Sequence, residues 1–337
     1  MEKYEIVIIG AGPAGLSAAG VLAEAGKEVL VLEKNRIIGP TICAGGLTTK
    51  DMDIIPKNIV DAEFNHLILH TVKGTYEIDL GSHPVFTVSR EKLGQWMAKE
   101  AKKSGAEIRM ACCVKEIKGN HVLVNGCKEI GYDYLIGTDG SNSLVRRYLN
   151  IPVKKTQIAV QYISKTQRCD IEVFLDDFKN VLKYGWIFPH SSFTSIGLGG
   201  WTRNAAMLRR CLDGLCDKLF VERTKLEAAS INFDYRGFVF GNKFLAGDAA
   251  GFASGLTGEG IYQAILSGEE VAKGILNKNY GYPGIKHLLK VKNSQEKLLH
   301  ILSINRCIPH IVFNSFIPLL LKRRNLCRMV NNKYGLV

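Results

Sequence analysis

The sequence predicts an α/β fold: a parallel dinucleotide-binding sheet, a second β-rich layer inserted into it, and a helical C-terminal stretch. Three observations carry this reading. The expected first strand, Tyr4–Ile9, passes straight into Gly10-Ala11-Gly12-Pro13-Ala14-Gly15, and Glu33 closes the next apolar run, Val29–Leu32. Two later apolar runs also end in acidic turns, Tyr134–Gly137 before Asp139-Gly140 and Lys243–Ala246 before Gly247-Asp248. Between them, residues 156–200 alternate apolar and polar in the manner of half-buried strands.

The first segment has every part of a βαβ nucleotide fingerprint. Gly10 permits the tight turn, Gly12 lets the backbone approach a pyrophosphate, and Gly15 lets the helix pack close to the strand. Ala14 lies in the same turn, at the N-terminus of a helix that faces the phosphates. Glu33 stands where an acidic residue accepts hydrogen bonds from a ribose, and Lys34 beside it joins the candidate set. A glycine turn alone can arise by chance, but here strand, turn, helix, second strand and Glu stand in register. The fingerprint does not separate NAD from FAD. The later segments do: a carboxylate at a strand end beside a glycine turn, Asp139 or Asp248, can bind the ribityl hydroxyls of FAD. After Gly255, Gly258 and Gly260, a helix beginning near Ile261 can point its N-terminus at the flavin or the phosphates. Taken singly, each such pair is an ordinary turn.

The other elements follow in order. Residues 64–70 and 75–80 suggest a hairpin of the second layer. Residues 90–104 have helical periodicity, with Leu93, Trp96, Met97 and Ala101 on one face. Gly105–Met110 enters a strand toward Val114, and the adjacent Cys112 and Cys113 would point to its opposite faces. Residues 120–139 give two more strands, 203–223 a helix, 228–248 a return to the first sheet, and Ile261–Leu276 a helix. The nucleotide-binding domain is thus expected to be discontinuous, over 1–60, 86–150 and 236–280. Residues 61–85 and 151–235 form the expected substrate domain, and 281–337 a helical cap or membrane-facing region. Within that last region Ile308–Leu321 is apolar but broken by Pro309 and Pro318, too short to span a bilayer, and Lys322-Arg323-Arg324 follow it. It can lie in an anionic membrane interface or pack as a cap.

At 337 residues and 46% hydrophobic, the chain can bury a large core and is no disordered protein. The first strand starts at once, so no signal peptide is expected. The nine cysteines form no CxxC pair and no Cys/His metal spacing, which predicts reduced thiols in a cytoplasmic protein and no metal. The net charge of +12 suits a solvated basic surface or peripheral contact with an anionic membrane. No nucleic-acid motif accompanies it, and nucleic acid is not an expected partner.

The three glycine segments, in this order, resemble the FAD-binding signature of the para-hydroxybenzoate hydroxylase-like flavoproteins. Within that superfamily the chain resembles the geranylgeranyl reductase family. Four stretches carry the resemblance: Gly39–Leu47, with Cys43-Ala44-Gly45-Gly46; Val88–Trp96, with Arg90 opening a helix; Tyr184-Gly185-Trp186-Ile187-Phe188-Pro189; and Gly247–Ile261. They cover roughly residues 1–275. The resemblance implies a Rossmann-type FAD-binding domain of the glutathione reductase-2 kind, an inserted antiparallel β-sheet substrate domain, and activity on isoprenoid double bonds. It places Cys43, Ala44 and Gly46 beside the flavin, where the thiol can donate a proton, react covalently or only pack. It sends Arg90 toward the FAD phosphates or ribityl chain, though a surface Arg is the plain alternative. The backbone at Val114 would contact adenine, and Asp248 would contact ribityl or phosphate oxygens. Gly260 and Ile261 would present N–H groups near the flavin N1–C2=O edge, where charge develops on reduction, and Gly258 joins the cofactor-binding set. Tyr184, Trp186, Phe188 and Pro189 read plainly as a core strand, and by resemblance as the wall of an apolar substrate channel. Among the histidines, His190 is either a proton donor or a solvated or core residue.

The expected function is FAD-dependent reduction of isoprenoid double bonds. With no second GxGxxG, the reductant would be transiently bound NAD(P)H or a ferredoxin. One alternative is an FAD monooxygenase acting on an aromatic or polyketide substrate. Another is a membrane-associated flavoprotein passing electrons to quinone, although no cysteine cluster here could hold an iron–sulfur centre.

Overall fold

The computed structural model describes residues 2–175, 183–200 and 204–304, together with Val312. β1 (Glu2–Ile9) leads into α1 (Pro13–Glu24) and β2 (Val29–Leu32). Pro13 opens α1 behind the N-cap Gly12, where its missing N–H forfeits no helical bond. Five short strands follow: β3 (Gly46–Leu47), β4 (Ala62–Phe64), β5 (His66–Thr71), β6 (Gly74–Asp79) and β7 (Val85–Thr87). α2 (Arg90–Lys103) buries Leu93, Gly94, Met97, Ala98 and Ala101, the stripe its periodicity dictates. β8 (Glu107–Arg109), β9 (Val114–Lys118), β10 (His121–Val124) and β11 (Lys128–Gly137) precede α3 (Leu144–Tyr148). β12 (Thr156–Ser164), β13 (Ile171–Leu175), β14 (Lys183–Pro189) and β15 (Thr194–Gly200) precede α4 (Ala205–Lys218) and β16 (Lys225–Asn232). β17 (Val239–Phe240), β18 (Lys243–Leu245), α5 (Ile261–Leu276) and α6 (Pro283–Ile304) follow.

The first sheet runs β17-β18-β11-β1-β2-β8, with the β9–β10 hairpin attached to β11. β1 is parallel to both neighbours, Ile6 lying opposite Val29 and Tyr134. Val7, Ile8, Leu30, Val31, Leu135 and Ile136 are all inaccessible, as expected of parallel strands covered on both faces. One core lies under α1, α2 and α5; the other lies against the β9–β10 hairpin and α6.

The second sheet runs β16-β12-β15-β14-β13-β5-β6. Every pairing in it is antiparallel except β13 with β5. Those two strands belong to separate insertions, so no hairpin dictates their direction. α4 covers one face, packing Leu208, Leu212 and Leu215 on Val160, Ile187, Ile196 and Leu198. β3, β7 and β4 make a small third sheet between the two.

Four local expectations are corrected. The strand from Gly105 does not continue to Val114: it breaks at Ala111, which takes a left-handed φ of 56°. Cys112 and Cys113 therefore lie in the connection between β8 and β9, where Cys112 N–H donates to the Glu33 carbonyl at 2.8 Å. The helix expected over 203–223 ends at Lys218, and Phe220 turns the chain with φ 53°. Residues 228–232 do not return to the first sheet, because β16 pairs along β12 from Thr156–Asn232 to Ile163–Lys225. No described helix is long and apolar enough to cross a membrane. The apolar and basic stretch from Ile308 to Arg328 lies outside the described residues, Val312 apart.

Arg146, 1% exposed, ties α3 to the segments that follow it and that follow β16 and β18. Its guanidinium donates to the carbonyls of Asp234 (2.7 Å), Pro152 (3.0 Å) and Ala249 (3.2 Å), with the Asp234 carboxylate 3.8 Å away. Replacing it strands those acceptors in a dry interior. Arg146→Ala is expected to lower unfolding free energy by about 3–5 kcal/mol, measured by urea denaturation followed by circular dichroism.

Candidate active site

The parallel register brings four strand ends to one edge of the first sheet. β1 delivers Gly10, β2 delivers Glu33, β11 delivers Asp139, and β18 delivers Gly247 and Asp248. Glu33 Oε2 accepts from Ala11 N–H and Oε1 from Asn35 N–H, both at 2.9 Å. The carboxylate thereby locks the glycine turn to the end of β2. Gly10 sits at φ 103°, and a Cβ on Gly15 would lie 2.1 Å from the Gly10 carbonyl oxygen. A Cβ on Gly12 would meet nothing nearer than 4.0 Å, so this side of the turn is open to a pyrophosphate. Ala14 packs under Gly247, and Lys34 is exposed beyond Glu33. Val114 is half-buried at the edge of the second core.

Asp139 Oδ2 accepts from the N–H groups of Leu144 and Val145 at the start of α3, while Oδ1 is buried with no partner. Asp248 Oδ2 accepts from Ser141 Oγ at 3.0 Å, and Asn232 holds its carbonyl at 2.8 Å. Burial raises the pKa of both carboxyls; nearby, the Arg90 charge works against the rise at Asp248. Arg90 Nε reaches Thr41 Oγ1 at 3.2 Å, so it links α2 to the Cys43 segment. Gly260 caps α5 with no side-chain partner, leaving first-turn N–H groups for a ligand. An open glycine turn, an orphaned carboxylate oxygen and an uncapped helix start are what a dinucleotide flavin requires, and the residues present fit FAD.

The second sheet turns its other face to this edge. By strand alternation Tyr184, Trp186 and Phe188 share that face, opposite Gly199, Gly197 and Ser195 of β15. Gly197 and Gly199 give the rings room to lie across the sheet: a Cβ on Gly197 would sit 2.1 Å from the Trp186 ring. Trp186 is 3% exposed, and its N–H donates to Ser195 Oγ, which donates to Gln161 Oε1, each at 3.0 Å. It forms the floor of the face, while Tyr184 and Phe188 are half-buried beside it. Pro189 is buried and uses its carbonyl to accept from Thr87 Oγ1 at 2.6 Å.

This face touches both candidate flavin segments. The Phe188 ring would be 2.5 Å from a Cβ on Gly46, and the Tyr184 hydroxyl 2.1 Å from one on Gly258. Burial pushes the Tyr184 phenol well above its usual range, with Cys43 and Glu259 adding to the shift, so it remains a neutral O–H. In the turn between, the Cys43 Sγ accepts from Gly45 N–H at 3.4 Å. His190 is 5% exposed, with both ring nitrogens engaged, and is therefore a core residue. Lys50 pairs with Glu259 at 2.7 Å, tying the segment after Cys43 to the start of α5.

Sequence reasoning passed over several of these groups. Gln161, Ser195 and Ser141 are single polar residues whose roles arise only when strands pair. Lys292 and Gln295 lie on α6, where no motif marked them. Lys292 Nζ donates to the Ala253 carbonyl and Gln295 Oε1 accepts from Ser254 Oγ, both at 2.8 Å. α6 thus holds the turn that leads into Gly255–Gly260.

Two outcomes are expected. Glu33→Ala removes two charge-assisted bonds from the glycine turn and should weaken FAD binding roughly 10- to 100-fold in a flavin-fluorescence titration. Asp248 binds its proton more tightly when folded than when unfolded, so the folded state loses stability as pH rises upward from the ordinary value of 3.8. Asp248→Asn should therefore raise the melting temperature of the flavin-free protein at neutral pH, remove that pH dependence, and weaken FAD binding.

The FAD binding domain family matches residues 3–211. Over 301 residues the chain is 31% identical to a geranylgeranyl diphosphate reductase of Rhodobacter capsulatus, covering 80% of this chain and 74% of that one. A digeranylgeranylglycerophospholipid reductase of Methanococcus vannielii is 27% identical over 321 residues, covering 83% and 79% respectively. The crystal structure of a geranylgeranyl bacteriochlorophyll reductase-like protein from Thermoplasma acidophilum superposes with a TM-score of 0.79 at 20% identity, covering 99% of this chain and 97% of that one. With sequence relatives and fold in agreement on an FAD-binding scaffold, the chain belongs to the geranylgeranyl reductase family of FAD-dependent oxidoreductases.

Proposed function

We propose that this protein reduces carbon–carbon double bonds of an isoprenoid chain, geranylgeranyl or another prenyl lipid. The observation that carries the reading is the meeting of three segments. The aromatic face of β14 touches the Cys43 turn through Phe188 and the Gly258 turn through Tyr184. An alkene lying along this face would sit between the thiol and the loop that leads into α5. The names of the Rhodobacter and Methanococcus relatives point to the same substrate class.

Bound FAD would supply the two-electron chemistry, a hydride passing from N5 to one alkene carbon. The protein's own groups do the remaining work. Gly10, Gly12, Ala14, Gly15, Glu33, Lys34, Arg90, Val114, Asp139, Gly247 and Asp248 hold the cofactor. Gly260 and Ile261 aim N–H groups at its ring, Gly258 shapes the turn before them, and Ala44 and Gly46 let the backbone approach it. Tyr184, Trp186, Phe188 and Pro189 form the wall that orients the chain and excludes water. Cys43 Sγ holds the proton destined for the second alkene carbon, with ordered water as the other source. The electron donor is external, NAD(P)H or a ferredoxin. The protein meets its lipid at an anionic membrane surface.

The test starts with FAD-loaded protein reduced without oxygen. Adding a geranylgeranyl lipid should restore the oxidised flavin band, and mass spectrometry should count the hydrogens gained. Cys43→Ala should slow that reoxidation by about a hundred- to ten-thousand-fold if the thiol is the general acid. A flavin that stays reduced with lipid, yet reoxidises in air with an aromatic substrate, overturns the reading in favour of a monooxygenase.

A further inference from the structure

We propose that His190 is the positioning residue of the Cys43–Gly46 turn, bridging Asp61 and the Ala44 carbonyl. His190 Nδ1 faces Asp61 Oδ2 at 2.9 Å and Nε2 faces the Ala44 carbonyl oxygen at 3.0 Å. Neither partner offers a proton. A carbonyl only accepts, and Asp61 is kept ionised. Although burial opposes it, hydrogen bonds from His190, Lys92 and Ser191 hold the Asp61 carboxyl well below the usual range. The ring bridges the two acceptors, one at each nitrogen.

The surroundings leave no substitute. The His190 side chain is 1% exposed and that of Asp61 is fully buried. Phe193 stacks on the ring at 4.2 Å, and a Cβ on Gly45 would lie 2.7 Å from His190 Cε1. The charged or titratable groups around the ring are Asp61 before β4, Lys92 on α2, and Cys43 in the turn itself. Removing the ring would leave both acceptors buried without this partner.

The held carbonyl is one of three in succession. Gln161 Nε2 lies 3.5 Å from the Cys43 carbonyl, His190 holds that of Ala44, and Val88 N–H donates to that of Gly45 at 2.9 Å. These anchors come from β12, the end of β14 and the end of β7. With the carbonyls held from the second and third sheets, the orientation of the intervening peptides is set, and with it the thiol. His190 therefore acts through Ala44 on the position of Cys43. This rests on the proposal above only in taking the Cys43 turn to face the flavin.

The test measures iodoacetamide alkylation of Cys43 relative to exposed Cys127 in FAD-loaded protein, by peptide mass spectrometry. Wild type should show a low Cys43-to-Cys127 ratio. His190→Phe should raise the ratio about tenfold, the equivalent of one lost net hydrogen bond. The double variant Asp61→Asn with His190→Gln rebuilds both contacts from neutral amides. It should return the ratio to the low value. A His190→Phe protein with flavin bound and a wild-type ratio overturns the proposal, as does a double variant that stays at the raised ratio. If instead the ratios behave as expected but alkylating Cys43 leaves the flavin spectrum and lipid reoxidation unchanged, the positioning role stands and the flavin-facing reading fails.

Discussion

The parallel register of four strands is the constraint on which the rest depends. β2, β1, β11 and β18 run in one direction, so all their C-terminal ends fall at one edge. Each ending exposes backbone groups that the ladder no longer satisfies, and each is followed by a turn that uses them. Glycine turns and carboxylates separated by more than two hundred residues of chain therefore become neighbours. A ligand long enough to touch all of them must lie across the strand ends, which is where open α/β sheets bind nucleotides.

The second sheet depends on that edge in turn. It has one apolar face, covered by α4, and one mixed face of aromatic rings, glycines and buried polar groups. The mixed face would be costly if left to water alone or to oil alone. It is satisfied because its polar groups reach the Cys43 turn and its rings reach Gly46 and Gly258. In the Trp186–Ser195–Gln161 chain three strands contribute one residue each, and the Gln161 amide donates to Glu227 at 2.9 Å while lying 3.5 Å from the Cys43 carbonyl. Lys50 with Glu259, and Lys292 with Ala253, fasten the two ends of the α5 approach in the same way. The turn at Cys43 is thus positioned by the tertiary structure more than by its own residues, whose two glycines have little conformational preference.

Some of this was legible in the chain. Fully apolar runs such as Ile6–Ile9 and Val29–Leu32 specify buried parallel strands, because only strands covered on both faces need no polar alternation. The α2 and α5 stripes and the alternation in 156–200 were equally direct, since period reports the geometry of a single element. The errors fell where period carries no information. Nothing local says that the strand from Gly105 breaks at Ala111, because the break follows from Cys112 bonding to the end of β2. Nothing local assigns β16 to the second sheet, because an alternating strand fits the edge of either.

By itself the sequence determined the nucleotide edge: its glycines, its carboxylates and their order are consecutive-residue patterns, and backbone sterics make them act alike wherever they fold. Only the tertiary structure decided which residues hold the Cys43 turn. Gln161, His190, Asp61 and Lys50 are ordinary polar residues until strand pairing sets them within about 3 Å of a partner, the range in which a hydrogen bond has its strength. That range is far shorter than any spacing a linear pattern can report.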